Sequence, residues 1–138
     1  MSQQNVELIR SIYDAFAAGD VPGVFAGMSP DMVWNEAENS RYADGNPYVG
    51  PEAIRTGVFA RLGDEWEGFA VVPEEYLDAG ETVVVLGRYQ AAYKATGNAM
   101  DAQFAHVWRV RDGKAARVQQ YIDTLQAARC GGSVFDGD

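Results

Sequence analysis

The sequence contains few of the residues that bind metals or form disulfides. Its 138 residues include one histidine and one cysteine. Cys130 therefore has no partner for an internal disulfide, and no pair of ligands has the spacing of a zinc finger or a zinc protease. A phosphate-binding glycine loop and a Gly-x-Ser-x-Gly elbow are missing as well. We expect no metal site and no cofactor.

Positive charge and long apolar runs are also scarce. Eleven basic against twenty acidic residues give a formal charge of −9, which repels nucleic-acid phosphates and anionic lipid surfaces. The longest apolar run is far shorter than the ~20 residues of a membrane span. Residues 1–5 lack the basic and apolar parts of a signal peptide. These absences argue against nucleic-acid or membrane partners and predict a cytoplasmic location.

What the sequence does contain is typical of one globular domain. It is 47% hydrophobic and 12% aromatic, with no internal repeat and no low-complexity linker. We place the domain at residues 1–125 and a C-terminal tail at 126–138, where no pattern is visible and Gly131-Gly132-Ser133 suggests flexibility. Val134 and Phe135 are the residues by which the tail would be held, against the domain or a neighbouring subunit.

Three helices are predicted in the first half of the chain. Asn5 caps the first, whose apolar residues follow a three-and-four spacing up to Gly19. Asp20 caps the second. The third begins at Pro51 and ends near Gly68. Between the second and third helices, residues 39–50 have the composition of a lid or binding loop, with Tyr42 and Tyr48 as its anchors.

Strands dominate the second half. Apart from an early strand at Met32–Glu36, two long strands are predicted at Phe69–Asp78 and Thr82–Lys94, and a hairpin closes the chain around Asp112-Gly113. Helices early in the chain and an antiparallel meander late in it indicate an α+β fold.

His106 and Glu36 are the candidate catalytic residues. His106 lies on an apolar strand face between Phe104 and Trp108, and a neutral imidazole can give or take a proton near pH 7. Glu36 shares a face with Trp34, and burial there would raise its pKa towards that of a useful base. The alternatives are a hydrogen-bonded histidine in the wall and a solvated glutamate at a strand end.

The register of the last hairpin decides which residues of the return strand accompany His106. A two-residue turn places His106 on the face of Gln119, Tyr121 and Asp123, whereas a three-residue turn places it with Val118, Gln120 and Ile122. The apolar Val118 and Ile122 favour the second register. Asp123 is therefore a catalytic candidate of second rank.

The other candidate site residues are mostly aromatic, as expected for a hydrophobic cavity, although aromatic residues at such spacings are more often core. The candidate ligand-binding residues are Trp34, Glu38, Tyr48, Phe59, Trp66, Tyr89, Phe104, Trp108 and Gln120.

Four short motifs in a fixed order resemble the nuclear transport factor 2-like superfamily. They are Ala18-Gly19-Asp20 after the first helix, Pro30-Asp31 before a strand, Tyr48 to Ile54 at a helix start, and Asp112-Gly113-Lys114 in the last hairpin. The resemblance covers residues 5–125 and is greatest to the SnoaL-like group. Other members include ketosteroid isomerase, scytalone dehydratase and limonene epoxide hydrolase. It implies a curved, mainly antiparallel sheet wrapped around the three helices as a cone with an internal pocket.

The resemblance also assigns expectations to individual residues. The base of ketosteroid isomerase falls on Glu36, and its oxyanion-hole aspartic acid falls on His106. Its essential tyrosine falls on Ile12, one position before Tyr13. The acid–base aspartate of the polyketide cyclases falls on Gln120. A carboxylate and a proton donor are thus kept, while two other functional groups of these enzymes are replaced.

Together these observations predict a small-molecule enzyme that performs cofactor-free acid–base chemistry on an apolar, carbonyl-bearing or cyclic substrate. Glu36 would take a proton, and His106 would give or stabilise one. The alternative is a non-catalytic ligand-binding or structural homodimer of the same fold. In either case we expect pairing through the outer sheet face, which Ala105 and Val107 leave partly apolar.

Overall fold

A computed structural model describes residues 2–131 of the chain. The helices are α1 (Ser2–Ala17), α2 (Val21–Ala26), α3 (Pro51–Ile54), α4 (Ala60–Glu65) and α5 (Thr124–Cys130), and a π-helical segment, Arg55–Phe59, joins α3 to α4. The strands are β1 (Met28–Asn35), β2 (Tyr48–Val49), β3 (Trp66–Ala79), β4 (Thr82–Tyr93), β5 (Ala99–Arg111) and β6 (Lys114–Ile122).

The six strands form one curved sheet in the order β2-β1-β6-β5-β4-β3. All neighbouring pairs are antiparallel except β1 and β6, which run parallel. The meander from β3 to β6 agrees with the predicted order of strands. The α+β class and the mainly antiparallel sheet are therefore confirmed.

The core lies between the helices and one face of this sheet. Along β5 the burial alternates, so that Phe104, His106 and Trp108 face inwards while Gln103 and Arg109 are exposed. From the helical side, residues of α1 and α2 complete the same core cluster. An alternating strand with one buried face is what fixes the register of a sheet.

The starts and ends of the helices differ in part from the prediction. Asp20 caps α2 as predicted, since its Oδ1 accepts a hydrogen bond from the Gly23 amide at 3.0 Å. The prediction that Asn5 caps α1 was wrong, because α1 already begins at Ser2 and the Asn5 side chain donates to the Gly80 carbonyl. The third predicted helix corresponds to α3, the π-helical segment and α4 together. It ends at Glu65, three residues before Gly68, and β3 starts at the next residue.

The last hairpin combines features of both predicted registers. The turn is the two-residue Asp112-Gly113, with φ values of 52° and 74°, and it places Arg111 opposite Lys114. The register then shifts, because Val110 lies opposite Ala115 while Arg109 lies opposite Arg117. The extra residue is a β-bulge at position 116, which moves the following residues by one. As a result His106 lies opposite Gln120, the pairing expected of the longer turn.

The sequence prediction found no pattern from Gln126 onwards, but the chain forms helix α5 from Thr124 to Cys130. Asp123 caps this helix, and the Gln126 side chain accepts a hydrogen bond from the Asp101 amide of β5 at 2.6 Å. Val134 and Phe135 lie outside the described residues. Within residues 2–131 no helix is long and apolar enough to cross a membrane.

Candidate functional site

The concave side of the sheet and the helices enclose a cavity of about 90 Å³. For comparison, a dry apolar cavity of roughly 150 Å³ can hold benzene. This cavity can therefore hold a ligand of the size of a small ring or smaller, and a larger ligand requires side chains to move. Aromatic and aliphatic side chains make up most of the lining, and the polar side chains among them are Tyr13, Glu36, Ser40, Arg41, Tyr42, Tyr89, His106 and Gln120.

Glu36 lies just after the end of β1 and is 4% exposed. Its Oε2 accepts a hydrogen bond from the indole Nε1 of Trp34 at 2.6 Å. Burial raises the pKa of this carboxyl group to about 7, while the Trp34 hydrogen bond and the charge of Arg61 act in the opposite direction. Glu36 is therefore a base whose proton affinity matches neutral pH.

Two side chains hold the backbone at Glu36 in place. The Asn46 amide accepts from the Glu36 N–H at 2.9 Å and donates to the Glu36 carbonyl at 2.8 Å. The Gln120 Oε1 accepts from the Ala37 N–H at 3.3 Å. The chain around Glu36 is thus tied to the loop on one side and to β6 on the other.

His106 lies inside the cavity wall with both ring nitrogens hydrogen-bonded. Nδ1 is 2.6 Å from the Tyr13 hydroxyl, and Nε2 is 2.5 Å from the Tyr89 hydroxyl. The ring of Phe104 stacks on the imidazole at a centroid distance of 4.0 Å. Burial lowers the pKa of His106 to about 3, so the imidazole is neutral at physiological pH.

Each of these tyrosines accepts a further hydrogen bond. The indole Nε1 of Trp108 donates to the Tyr13 hydroxyl at 2.8 Å, and the Gln120 Nε2 donates to the Tyr89 hydroxyl at 2.8 Å. Burial raises the pKa of both tyrosines well above the usual value, which keeps them protonated. The result is a buried chain of neutral hydrogen-bonding groups, which we call the His106 cluster: Trp108, Tyr13, His106, Tyr89 and Gln120.

Most of the predicted site residues line the cavity. These are Trp34, Glu36, Phe59, Trp66, Tyr89, His106, Trp108 and Gln120. The structure thus brings Glu36 and the His106 cluster to one cavity.

The other predicted site residues lie outside the cavity lining. Tyr48 fastens the loop, since its hydroxyl donates to the Tyr42 carbonyl at 2.6 Å. The ring of Phe104 stacks on the imidazole of His106. Glu38 is exposed in the loop, and Asp123 is the cap of α5.

Sequence reasoning missed four polar residues of the lining, one of which, Tyr42, had been predicted only as an anchor of the loop. Tyr13 was assigned to the apolar stripe of α1, although a tyrosine on such a stripe carries a hydroxyl that needs a partner when buried. Ser40 and Arg41 sit in the predicted loop without a motif to single them out. Within residues 2–131 the buried Ser40 Oγ has no hydrogen-bond partner, and the Arg41 guanidinium lies over the Tyr93 ring at 4.6 Å.

No group of three His, Cys, Asp or Glu side chains that could hold a metal ion occurs in the described part of the chain. The polar residues of the cavity are instead suited to hydrogen bonding and proton transfer.

Comparison with known families places this architecture. The family model of the SnoaL-like domain matches residues 9–118. The chain belongs to the SnoaL-like domain family. The resemblance inferred from the four sequence motifs is thereby confirmed. Comparison of this SnoaL-like protein with proteins of curated function gives no match.

Solved structures support the same assignment. An NTF2-like protein from Burkholderia thailandensis is 33% identical, with a TM-score of 0.87 over 91% of this SnoaL-like chain and 95% of its own. TerC, co-crystallised with polyporic acid, is 30% identical, with a TM-score of 0.84 over 94% and 99% of the two chains. A protein from Catenulispora acidiphila with a ketosteroid isomerase-like fold, solved in complex with trimethylamine, shares the fold at 19% identity, with a TM-score of 0.77 over 94% and 95%.

Proposed function

We propose that the protein catalyses cofactor-free acid–base chemistry, of the isomerase, cyclase, dehydratase or hydrolase type, on a small molecule bound in the cavity. Glu36 takes a proton from the substrate or from water, and the His106 cluster stabilises the charge that develops on a substrate oxygen. One observation carries the proposal: a buried carboxyl group with a pKa of about 7 lines the same cavity as a neutral hydrogen-bonding cluster. Such a base is both available and effective near neutral pH.

The lining favours an apolar, carbonyl-bearing or cyclic substrate. Aromatic walls bury apolar surface, and a small number of polar groups fix the orientation of a ligand. TerC has been crystallised with polyporic acid and the Catenulispora protein with trimethylamine, so proteins of this fold hold small organic molecules. These neighbours support a small organic ligand for the cavity of this chain.

The experiment is a ligand screen followed by turnover assays. Lipophilic ketones, lactones and epoxides are screened by thermal shift, because a ligand of the folded state raises the apparent stability. Compounds that bind are then assayed for conversion. Glu36→Gln is expected to lower kcat by roughly 10²- to 10⁴-fold. The matched control is Glu67→Gln, an exposed glutamate of β3 outside the cavity, which should leave kcat unchanged.

A double variant separates catalysis from a structural role of the pair. If Glu36 and His106 act in one transition state, Glu36→Gln with His106→Asn should cost less than the product of the single effects. The alternative function, a non-catalytic ligand-binding or structural homodimer, predicts that ligands bind without turnover. It also predicts that the melting temperature falls by several degrees in both single variants while ligand binding remains intact.

We further propose that two copies of the chain pair through the outer face of the sheet. Ala105 and Val107 are half-buried there, and the neighbouring Tyr121 of β6 is 56% exposed. Light scattering should give twice the mass of one chain, and Val107→Lys should shift the distribution towards the single chain, because a charge in an apolar contact is costly. A wild-type mass equal to one chain would contradict this pairing.

A further inference from the structure

The hydrogen bonds around His106 constrain where the hydrogens lie. A neutral imidazole has one N–H donor and one acceptor nitrogen. Both nitrogens are hydrogen-bonded to tyrosine hydroxyls, Nδ1 to Tyr13 and Nε2 to Tyr89. One hydroxyl must therefore donate to the imidazole while the other accepts from it.

A count of hydrogens leaves one of them unused. The two hydroxyls and the single N–H supply three hydrogens, but only two hydrogen bonds link Tyr13, His106 and Tyr89. The third hydrogen belongs to the tyrosine that accepts from the imidazole. The oxygen of that tyrosine also accepts from an N–H of Trp108 or Gln120, so both of its lone pairs are occupied and its own O–H must point elsewhere.

The surroundings of the two hydroxyls decide which hydrogen is free. The ring of Tyr13 packs in edge contacts against Tyr76 and Trp108, and the neighbouring charge that acts on its hydroxyl is that of Tyr76. Tyr89 instead lines the same cavity as Glu36, and the negative charge of Glu36 contributes to the raised pKa of Tyr89. Because a hydroxyl hydrogen is attracted to a carboxylate, the favoured arrangement has Tyr13 donating to Nδ1, and Nε2–H donating to Tyr89.

We propose that the Tyr89 hydroxyl, and not the imidazole, donates the hydrogen bond to a ligand oxygen in the cavity, and that neutral His106 is the positioning residue that aims it. The ligand class is a small neutral molecule with an acceptor oxygen, such as a ketone. This deepens the proposed function of the same cavity and rests on it only for the idea that a ligand enters there. Tyr89 lines the cavity together with Glu36, so the oxygen of a ligand in that cavity can accept the free hydrogen of the hydroxyl.

The tautomer can be measured without any ligand. His106 is the only histidine of the chain, so the imidazole signals of uniformly ¹⁵N-labelled protein belong to it without further assignment. Long-range ¹H–¹⁵N correlation spectra at pH 7 should show a neutral ring protonated at Nε2. A ring protonated at Nδ1 would move the free hydrogen to Tyr13 and overturn the proposal, and an imidazolium would do so as well.

The donor role is tested with two probes of the same shape. Cyclohexanone has an acceptor oxygen, and methylenecyclohexane does not. NMR titration should show that the wild-type protein prefers the ketone by a factor on the order of tenfold, the worth of one hydrogen bond. Tyr89→Phe should abolish the preference, whereas Tyr121→Phe, at an exposed tyrosine outside the cavity lining, should keep it. Absence of a preference in the wild type, including no binding of either probe, would overturn the donor role.

These outcomes also separate this inference from the catalytic proposal. A ketone preference that depends on Tyr89 in a protein without turnover would keep the donor and reject the catalysis. Turnover that depends on Glu36 but not on Tyr89 would keep the catalytic proposal and reject the donor role of Tyr89. If Tyr89→Phe fails to fold, the tautomer of the wild-type imidazole still decides the direction of the hydrogen bonds.

Discussion

The indole of Trp34 donates a hydrogen bond to the carboxylate of Glu36 over 2.6 Å. The two residues are two positions apart, so an extended backbone directs them to the same side. The hydrogen bond favours the charged carboxylate, whereas burial disfavours it more strongly, and the pKa of about 7 results from this opposition. Trp34 therefore raises the fraction of Glu36 that is deprotonated at a given pH.

Removal of the indole N–H should raise the pKa of Glu36 further. In Trp34→Phe the burial remains, but the hydrogen bond that lowers the pKa is gone. A pH titration of the ¹³C-labelled carboxyl group measures the change. Trp66→Phe is the control, because the Trp66 indole donates to Tyr42 and not to Glu36. A pKa equal in Trp34→Phe and wild type would contradict this account.

Glu36 and His106 should give the stability opposite dependences on pH. The folded protein holds the Glu36 proton between the usual pKa of 4.5 and about 7, so this group lowers the stability as the pH rises through that range. The unfolded chain holds the His106 proton between about 3 and 6.5, so this group raises the stability with pH there. Each slope amounts to about 1.4 kcal/mol per pH unit.

Urea unfolding at several pH values separates the two contributions. Between pH 4 and pH 8 the free energy of unfolding of Glu36→Gln should rise by about 3 kcal/mol relative to that of the wild type. The variant lacks the carboxyl group whose ionisation destabilises the folded wild-type protein. His106→Gln should change in the opposite sense, with its stability relative to wild type falling as the pH rises from 3 to 6.5. Parallel curves for the wild type and both variants would show that neither group titrates as described.

Asp123 should matter for helix α5 and not for the chemistry of the cavity. Its side chain accepts a hydrogen bond from the backbone N–H of Gln126 at 3.1 Å, and Asp123 is absent from the cavity lining. Asp123→Ala should cost about 1 kcal/mol of stability, while Asp123→Asn, which keeps a capping oxygen, should cost little. Turnover should be the same in both. A loss of turnover in Asp123→Asn would restore Asp123 as a catalytic candidate.

Two glycines of the third helical stretch should respond differently to alanine. A Cβ at Gly57 would overlap the ring of Tyr48, the residue that fastens the loop next to Glu36. Gly57→Ala should therefore destabilise the protein by roughly 1–3 kcal/mol and loosen the loop. Gly63→Ala, with no atom within 4 Å of the added carbon, should be neutral or stabilise by up to about 1 kcal/mol. Thermal denaturation of both variants tests the contrast.

Much of the fold follows from local patterns in the sequence. The apolar spacing along α1, the cap at Asp20 and the turn at Asp112-Gly113 act over a few residues, and the structure agrees with all three. Helix α5 was missed because it is short and its cap, Asp123, had been considered for another role. Its position depends on a contact with β5 that no local pattern contains.

The site was predicted in its two main residues but not in its connections. Glu36 and His106 stood out because a carboxylate and an imidazole are conspicuous among apolar neighbours. Tyr13 did not, since its partner His106 is 93 positions away in the chain. A hydrogen bond of this kind is set by how α1 packs on the sheet, and a single sequence gives no record of that packing.

The bulge at position 116 decides which glutamine faces His106. Without the bulge a strand of the same length would place Gln119 opposite His106, and the extra residue moves Gln120 to that place instead. Deletion of residue 116 would remove the bulge and still leave Arg117 opposite Arg109 and Gln120 opposite His106. A single codon deletion at this partly exposed position would thus keep the amide that contacts Tyr89 and Ala37 in the cavity wall.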